Sequence, residues 1–290
     1  MYYYIVNPAA GKGNDKALQD KIKGRLETLG IRGEWAKSTG PGEIARMAGA
    51  AVAAGHTTIV AVGGDDTVNE VINGIGDSDT AVGIIPLGRS NHLARQLGII
   101  SWSQACEVLA ARRLTSYGLI AAGQKFFLST LTMGFETDLD KSVDRSDGRL
   151  GSRIGQLRQS LGHARTYRTL KARLTVDDQL TISADLFSLS IANQKFASPL
   201  ADNKLVVSLS DRPSTKQLGT YVWQLIRHGA SPLDDRATSR ILASRVVIET
   251  TPATGIMIDG KVAGRTPIAI RLTDRKVRFI TEKVASGFRS

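Results

Sequence analysis

Three glycine-bearing stretches in the first third of the chain each join a strand-like run to a helix-like run. They are Asn7-Pro8-Ala9-Ala10-Gly11-Lys12-Gly13, Gly63-Gly64-Asp65-Asp66-Thr67-Val68-Asn69-Glu70 and Pro86-Leu87-Gly88-Arg89-Ser90-Asn91-His92. A strand-to-helix turn aims free backbone N–H groups and the positive end of a helix dipole at one spot. Glycine lets a phosphate approach that backbone. One such turn is ordinary α/β chemistry. Three at the carboxyl ends of parallel strands point to an anion or nucleotide site.

Other catalytic patterns do not fit. A Walker A loop needs glycine where Val6 stands, and a dinucleotide fingerprint needs it where Lys16 stands. The four histidines, His56, His92, His163 and His228, lack metal-ligand spacing. Ser90 and His92 are not set in a Gly-x-Ser-x-Gly elbow.

The elements that must position these loops alternate. Strands are predicted over 2–6, 31–36, 57–62 and 81–85, and helices over 15–29, 43–54, 68–75 and 92–97, with Cys106–Ala111 inside a further helix. Leu18, Ile22, Leu26 and Leu29 form the apolar stripe of the first helix. Such alternation implies a mostly parallel sheet covered by helices. After about residue 117 the runs become short, alternating and bounded by turns: 126–132, 172–176, 181–192, 205–209, 245–250, 254–258, 267–272 and 276–280. That texture predicts a β-sandwich, with one helix over 217–228. The expected organisation is an α/β nucleotide-binding domain over 1–117, a β-sandwich substrate domain over 118–282, and a tail over 283–290 that returns to the first domain. No disorder signal marks the boundary, so closely packed domains with a cleft between them are expected.

Composition sets the wider limits. The 290 residues are 42% hydrophobic and 22% charged, which suits a globular chain rather than a disordered one. No long apolar run spans a membrane, and the opening Met1–Pro8 does not read as a signal peptide. The single cysteine, Cys106, excludes an internal disulfide, favours a cytoplasmic location and reads as a packed small hydrophobe. The formal charge is +11, and 141–173 holds nine cations against two anions, a net +7. This stretch reads either as a surface for phosphorylated ligands, nucleic acid or anionic membrane, or as a solvated face. No helix-turn-helix or aromatic-interleaved RNA pattern supports nucleic acid.

The three loops, with Ala94-Arg95, resemble the diacylglycerol kinase catalytic family, which includes bacterial lipid kinases and the sphingosine and ceramide kinases. The resemblance continues through Gly134-Phe135-Glu136, through Pro199, Ala201 and Asp202-Asn203-Lys204-Leu205, and through Ile258-Asp259-Gly260-Lys261 with Thr266-Pro267. It implies an NAD-kinase-like α/β domain followed by a β-sandwich. It also implies an ATP- and Mg²⁺-dependent kinase that phosphorylates a lipid alcohol while peripheral to the inner membrane face.

By this resemblance, Asn7, Gly11 and Lys12 form the first nucleotide loop. Asp65 and the Gly63-Gly64 turn lie at the phosphates and Mg²⁺, and Thr67 and Asn69 support them. Gly88, Arg89 and Asn91 form the remaining loop. Asp259 is the base that takes the lipid hydroxyl proton, and Asp202 holds a structural Mg²⁺. Phosphoryl transfer needs little more than positioning, charge neutralisation and one carboxylate near the acceptor oxygen.

The chain departs from the family pattern where Asp66 replaces a glycine, Arg89 a small hydroxyl residue, His92 an acid, Lys261 an acid and Asn203 a glycine. A carboxylate at 66 opposes phosphate unless Arg89 neutralises it. The alternative reading is a catalytically degenerate relative that senses lipid or nucleotide.

Overall fold

The computed structural model describes residues 1–40, 42–88, 91–128, 130–135, 137, 150–193, 204–228, 239–258 and 261–282. They divide into two compact units, one from 1–128 with 273–282 and the other from the described residues between.

The first unit is an α/β layer structure. Strand β1 (Tyr2–Val6) lies between β2 (Gly33–Lys37) and β3 (Thr58–Gly63), and β4 (Ala81–Pro86) follows β3; all these pairings are parallel. Ile59, Val60, Ala61 and Val62 are all buried. An unbroken apolar run is what a parallel strand covered on both faces requires. The covering helices include α1 (Lys16–Thr28), α2 (Glu43–Ala53), α3 (Asp65–Gly74), α4 (His92–Gln96) and α5 (Trp102–Ala111). Asp15 caps α1 through Leu18 N, and Ser101 caps α5 through Gln104 N. Cys106 is fully buried in α5.

Helix α3 starts at Asp65, earlier than the apolar periodicity from Val68 suggests. Its first turn is acidic, and carboxylates at a helix N-terminus favour the dipole, so hydrophobic spacing alone misses that turn.

Strands β5 (Leu114–Ala122) and β6 (Lys125–Phe127) also belong to the first unit. The second contains β7 (Thr130–Gly134), α6 (Leu150–Thr166), β8 (Leu170–Val176), β9 (Leu180–Leu186), β10 (Ser188–Asn193), β11 (Leu205–Ser210), α7 (Thr215–His228), β12 (Ser239–Ala243), β13 (Arg245–Thr251), β14 (Gly255–Ile258) and β15 (Lys261–Arg265). Its antiparallel sheet runs β12-β11-β10-β7-β14-β15. A further layer is β9-β8-β13 with the start of β16 (Ile268–Ile280). Strand β8 buries every second residue, while β7, β10 and β11 are buried throughout. This is a β-sandwich with one sheet covered again on its outer side. Phe135, Phe187, Ala164 of α6 and Leu218, Tyr221 and Val222 of α7 supply that cover.

Two expected strands prove to be one. Strand β16 runs unbroken from Ile268 to Ile280, pairing antiparallel with β13 early and parallel with β4 late. Thr273-Asp274-Arg275 resembles a turn in sequence. In the fold, Thr273 Oγ1 donates to Leu119 O at 2.9 Å and the Arg275 guanidinium reaches Ile72 O at 3.1 Å, so polar side chains anchor a continuous strand. Conversely, the expected run 181–192 breaks at Phe187, where the chain passes from one sheet to the other. The run 126–132 divides between β6 and β7 for the same reason.

Candidate active site

The three glycine loops meet. Lys12 N donates to Leu87 O at 2.9 Å, joining the first loop to the third. A Cβ on Gly11 would stand 2.4 Å from that same Leu87 O, and its φ of +47° lies in the left-handed region. A Cβ on Gly88 would stand 2.4 Å from Gly64 Cα. Bare backbone therefore packs on bare backbone, which is how a chain presents N–H groups to a phosphate without side chains in the way.

Side chains then lock the loops. Asn7 Nδ2 donates to the buried Thr67 Oγ1 at 3.0 Å, and Asn7 Oδ1 accepts from Ala9 N at 3.0 Å. Asn91 sits at φ +45°, accepts from Gly88 N at 2.9 Å and returns a bond to Gly88 O at 2.8 Å. Both ends of its amide are thus spent on closing its own loop. Asp65 accepts from His92 N at 2.9 Å and from Leu93 N at 2.8 Å. It caps α4 from the first residue of α3, distant in sequence, using both carboxylate oxygens. Sequence reasoning assigned Asp65 to phosphate and Mg²⁺ and missed this clamp, because a cap normally lies beside its own helix in sequence. Asn69 belongs to α3, and its carbonyl accepts from Asn73 Nδ2 at 2.8 Å.

His92 is the first residue of α4, directly after the third loop. Burial holds its imidazole below the ordinary histidine range, opposed by the nearby Asp65 carboxylate. Its Nε2 lies 3.0 Å from Gln96 Nε2.

Arg89, Asp202 and Asp259 lie outside the described residues, as does any contact between Asp66 and Arg89. Strand β14 ends at Ile258, immediately before Asp259, paired with Leu131 of β7 and Lys261 of β15. Among the described residues no group of three or more His, Cys, Asp or Glu side chains could hold a metal ion.

Residues 1–122 match the family model of the diacylglycerol kinase catalytic domain. A Staphylococcus haemolyticus protein named "Putative lipid kinase" is 23% identical over 240 residues, covering 76% of this chain and 75% of its own. A Staphylococcus aureus protein of the same name is 24% identical over 241 residues, with the same coverage. Among solved structures, a protein described as a putative diacylglycerol kinase from Bacillus anthracis superposes with a TM-score of 0.73 at 20% identity, covering 97% of each chain. An NAD kinase from Archaeoglobus fulgidus, solved in complex with ATP, gives a TM-score of 0.53 at 12% identity, covering 98% of this chain and 94% of its own. The fold is the one these solved structures share, and residues 1–122 match the kinase family model.

Proposed function

We propose that the protein is an ATP- and Mg²⁺-dependent lipid kinase that transfers the γ-phosphate to the hydroxyl of diacylglycerol or a related lipid alcohol. The observation that carries this reading is the convergence of three glycine loops, closed by Asp65 across to α4. The first unit binds the nucleotide through Asn7, Gly11, Lys12, Gly63, Gly64, Thr67, Asn69, Gly88, Arg89 and Asn91. Asp65 positions the third loop. The second unit binds the acceptor.

Mg²⁺ fits the described side chains poorly, because Asp65 already accepts two backbone bonds and, among the described residues, it belongs to no group of three or more His, Cys, Asp or Glu side chains that could hold a metal ion. It usually keeps several waters and binds through substrate phosphates, so it would enter with ATP and neutralise phosphate charge there. Asp202 is proposed to hold a structural Mg²⁺ in the second unit. Asp259 is proposed as the base that accepts the hydroxyl proton as the lipid oxygen attacks the γ-phosphate.

One observation favours the rival reading of a non-catalytic lipid or nucleotide sensor. Asp66 adds a second carboxylate to the first turn of α3, where a phosphate would bind. The deciding experiment incubates the protein with labelled ATP, Mg²⁺ and a total lipid extract. A labelled lipid, abolished by Asp259→Asn with ATP binding retained, supports the kinase. ATP binding without any labelled lipid supports the sensor.

The working location proposed is cytoplasmic, peripheral at the inner membrane face. Among the described residues no helix is long and apolar enough to cross a membrane. The anionic surface would meet α6 and its neighbourhood, where Arg158, Arg165 and Arg168 are exposed.

A further inference from the structure

The β9-β8-β13 layer of the second unit carries a groove of about 590 Å³ on its exposed face, within the size range of small-ligand sites. Strand β8 buries Leu170, Ala172, Leu174 and Val176 on one face and leaves Lys171 and Arg173 exposed on the other. The register fixes what stands beside these cations. Lys171 lies between Asp185 of β9 and Thr251 of β13, and Arg173 lies between Ser183 of β9 and Glu249 of β13. All six side chains are exposed, share one face and line the groove.

Opposite charges in register across a sheet attract and commonly pair. Here Lys171 faces Asp185 and Arg173 faces Glu249, yet none of the four makes an ion pair with another described residue. The groove thus keeps two cations along its central strand and one carboxylate on each flank. The cations stand two residues apart, about 7 Å along the strand, so both long side chains can reach one phosphate. The carboxylates stand on strands two spacings apart, about 9–10 Å. A bare phosphate meets those carboxylates as like charges. A phosphate that carries hydroxyl groups meets them as hydrogen-bond acceptors instead.

We infer that this groove binds a phosphorylated polyol. Lys171 and Arg173 take the phosphate, with Ser183 and Thr251 donating to it, and the polyol hydroxyls donate to Asp185 and Glu249. A ring polyol suits the separation of the two carboxylates. A free cyclitol or sugar phosphate presents this chemistry, and so does the headgroup of an inositol-bearing lipid. None of the six residues belongs to the glycine loops, so the site stands or falls apart from the kinase reading.

The test titrates the full chain by calorimetry with myo-inositol 1-phosphate, inorganic phosphate and myo-inositol. Wild type is expected to bind the inositol phosphate at least about tenfold more tightly than either fragment, since only the whole ligand uses both cations and carboxylates. Lys171→Ala and Arg173→Ala should each weaken it at least about fivefold, through loss of a charge-assisted bond. Asp185→Asn and Glu249→Gln should also weaken it, while binding of inorganic phosphate holds or tightens because a like charge has gone. Arg173→Ala and Glu249→Gln should change Tm additively, as expected of side chains that are not paired with each other. Inorganic phosphate bound as tightly as the inositol phosphate overturns the inference, as does the absence of binding by all three probes. Tighter inositol phosphate binding in the carboxylate variants also overturns it, since charge alone would then be at work. So does a non-additive Tm, which would mean that Arg173 and Glu249 close on each other. Vesicles of phosphatidylinositol in phosphatidylcholine, set against phosphatidylcholine alone, identify the source. Competition with the soluble probe supports a lipid headgroup in the groove, and soluble binding without competition supports a free polyol phosphate.

Discussion

The carboxylate of Asp65 receives the backbone amide of His92 at 2.9 Å, across 27 residues of sequence, while its other oxygen receives Leu93. One side chain at the start of α3 therefore fixes the start of α4. Charge-assisted bonds of this kind contribute about 1.5–3 kcal/mol each, and a forked pair also fixes direction.

Asp65→Asn keeps one acceptor oxygen and loses the charge. The expected cost is about 1–3 kcal/mol, which for a chain of this size lowers Tm by several degrees. ATP affinity should fall together with stability, because the third loop loses its anchor. Scanning calorimetry and ATP titration check this. A variant with wild-type Tm and affinity would show that the fork positions nothing.

Gly88→Ala should be more severe for binding. Its Cβ would lie 2.4 Å from Gly64 Cα, and backbone cannot yield as a flexible side chain does. ATP binding is expected to weaken at least about tenfold as the loops separate. Gly24→Ala on α1 is the matched control. Its Cβ meets nothing within 4 Å, so it should stabilise the helix by about 0.5–1 kcal/mol with ATP binding unchanged. Equal effects of the two substitutions would remove the packing argument.

Much of this was legible in the sequence, for reasons that differ by element. The β-branched run ending at Gly63-Gly64 and the alanine-rich run from Glu43 declare their elements through local periodicity. The glycine loops were legible because close backbone approach admits few other residues. The Asp65 clamp and the break at Phe187 were not legible. Each depends on a partner far away in sequence: His92 and Leu93 for one, Ser210 and Phe135 for the other. The unbroken β16 was hidden because Thr273 and Arg275 are polar, and their partners, Leu119 and Ile72, lie on other elements.

His92 gives a pH dependence with a definite sign. Burial lowers its folded pKa below the ordinary value of 6.5. Between those two pKa values the unfolded chain binds more protons than the folded one, so stability rises with pH there. The contribution is complete above about 6.5 and is lost as pH falls through the folded pKa. Urea denaturation at pH 5 and pH 7.5 should therefore show a larger acid loss in wild type than in His92→Gln. Equal losses would mean that His92 is solvated and titrates alike in both states.

The last prediction concerns the exposed basic residues around α6. Leu157 and Leu161 pack against the Phe135–Phe187 cluster, while Arg158, Arg165 and Arg168 remain exposed. Those two leucines are thus already spent on holding α6 to its own unit. The arginines can add a charge contribution of about 1 kcal/mol for each Lys or Arg close to an anionic surface. Trp223 on α7, 41% exposed, could add an interfacial anchor if the same face meets the lipid. Charge-driven docking has a distinctive signature. Sedimentation with liposomes should rise with phosphatidylglycerol content and fall as salt shortens the screening length. Replacing Arg158, Arg165 and Arg168 by Glu should abolish it while Tm changes little, because none of the three is buried. Trp223→Ala should weaken docking by a smaller factor that salt does not alter. Binding indifferent to lipid charge, to salt and to the triple substitution would leave these arginines as solvated surface.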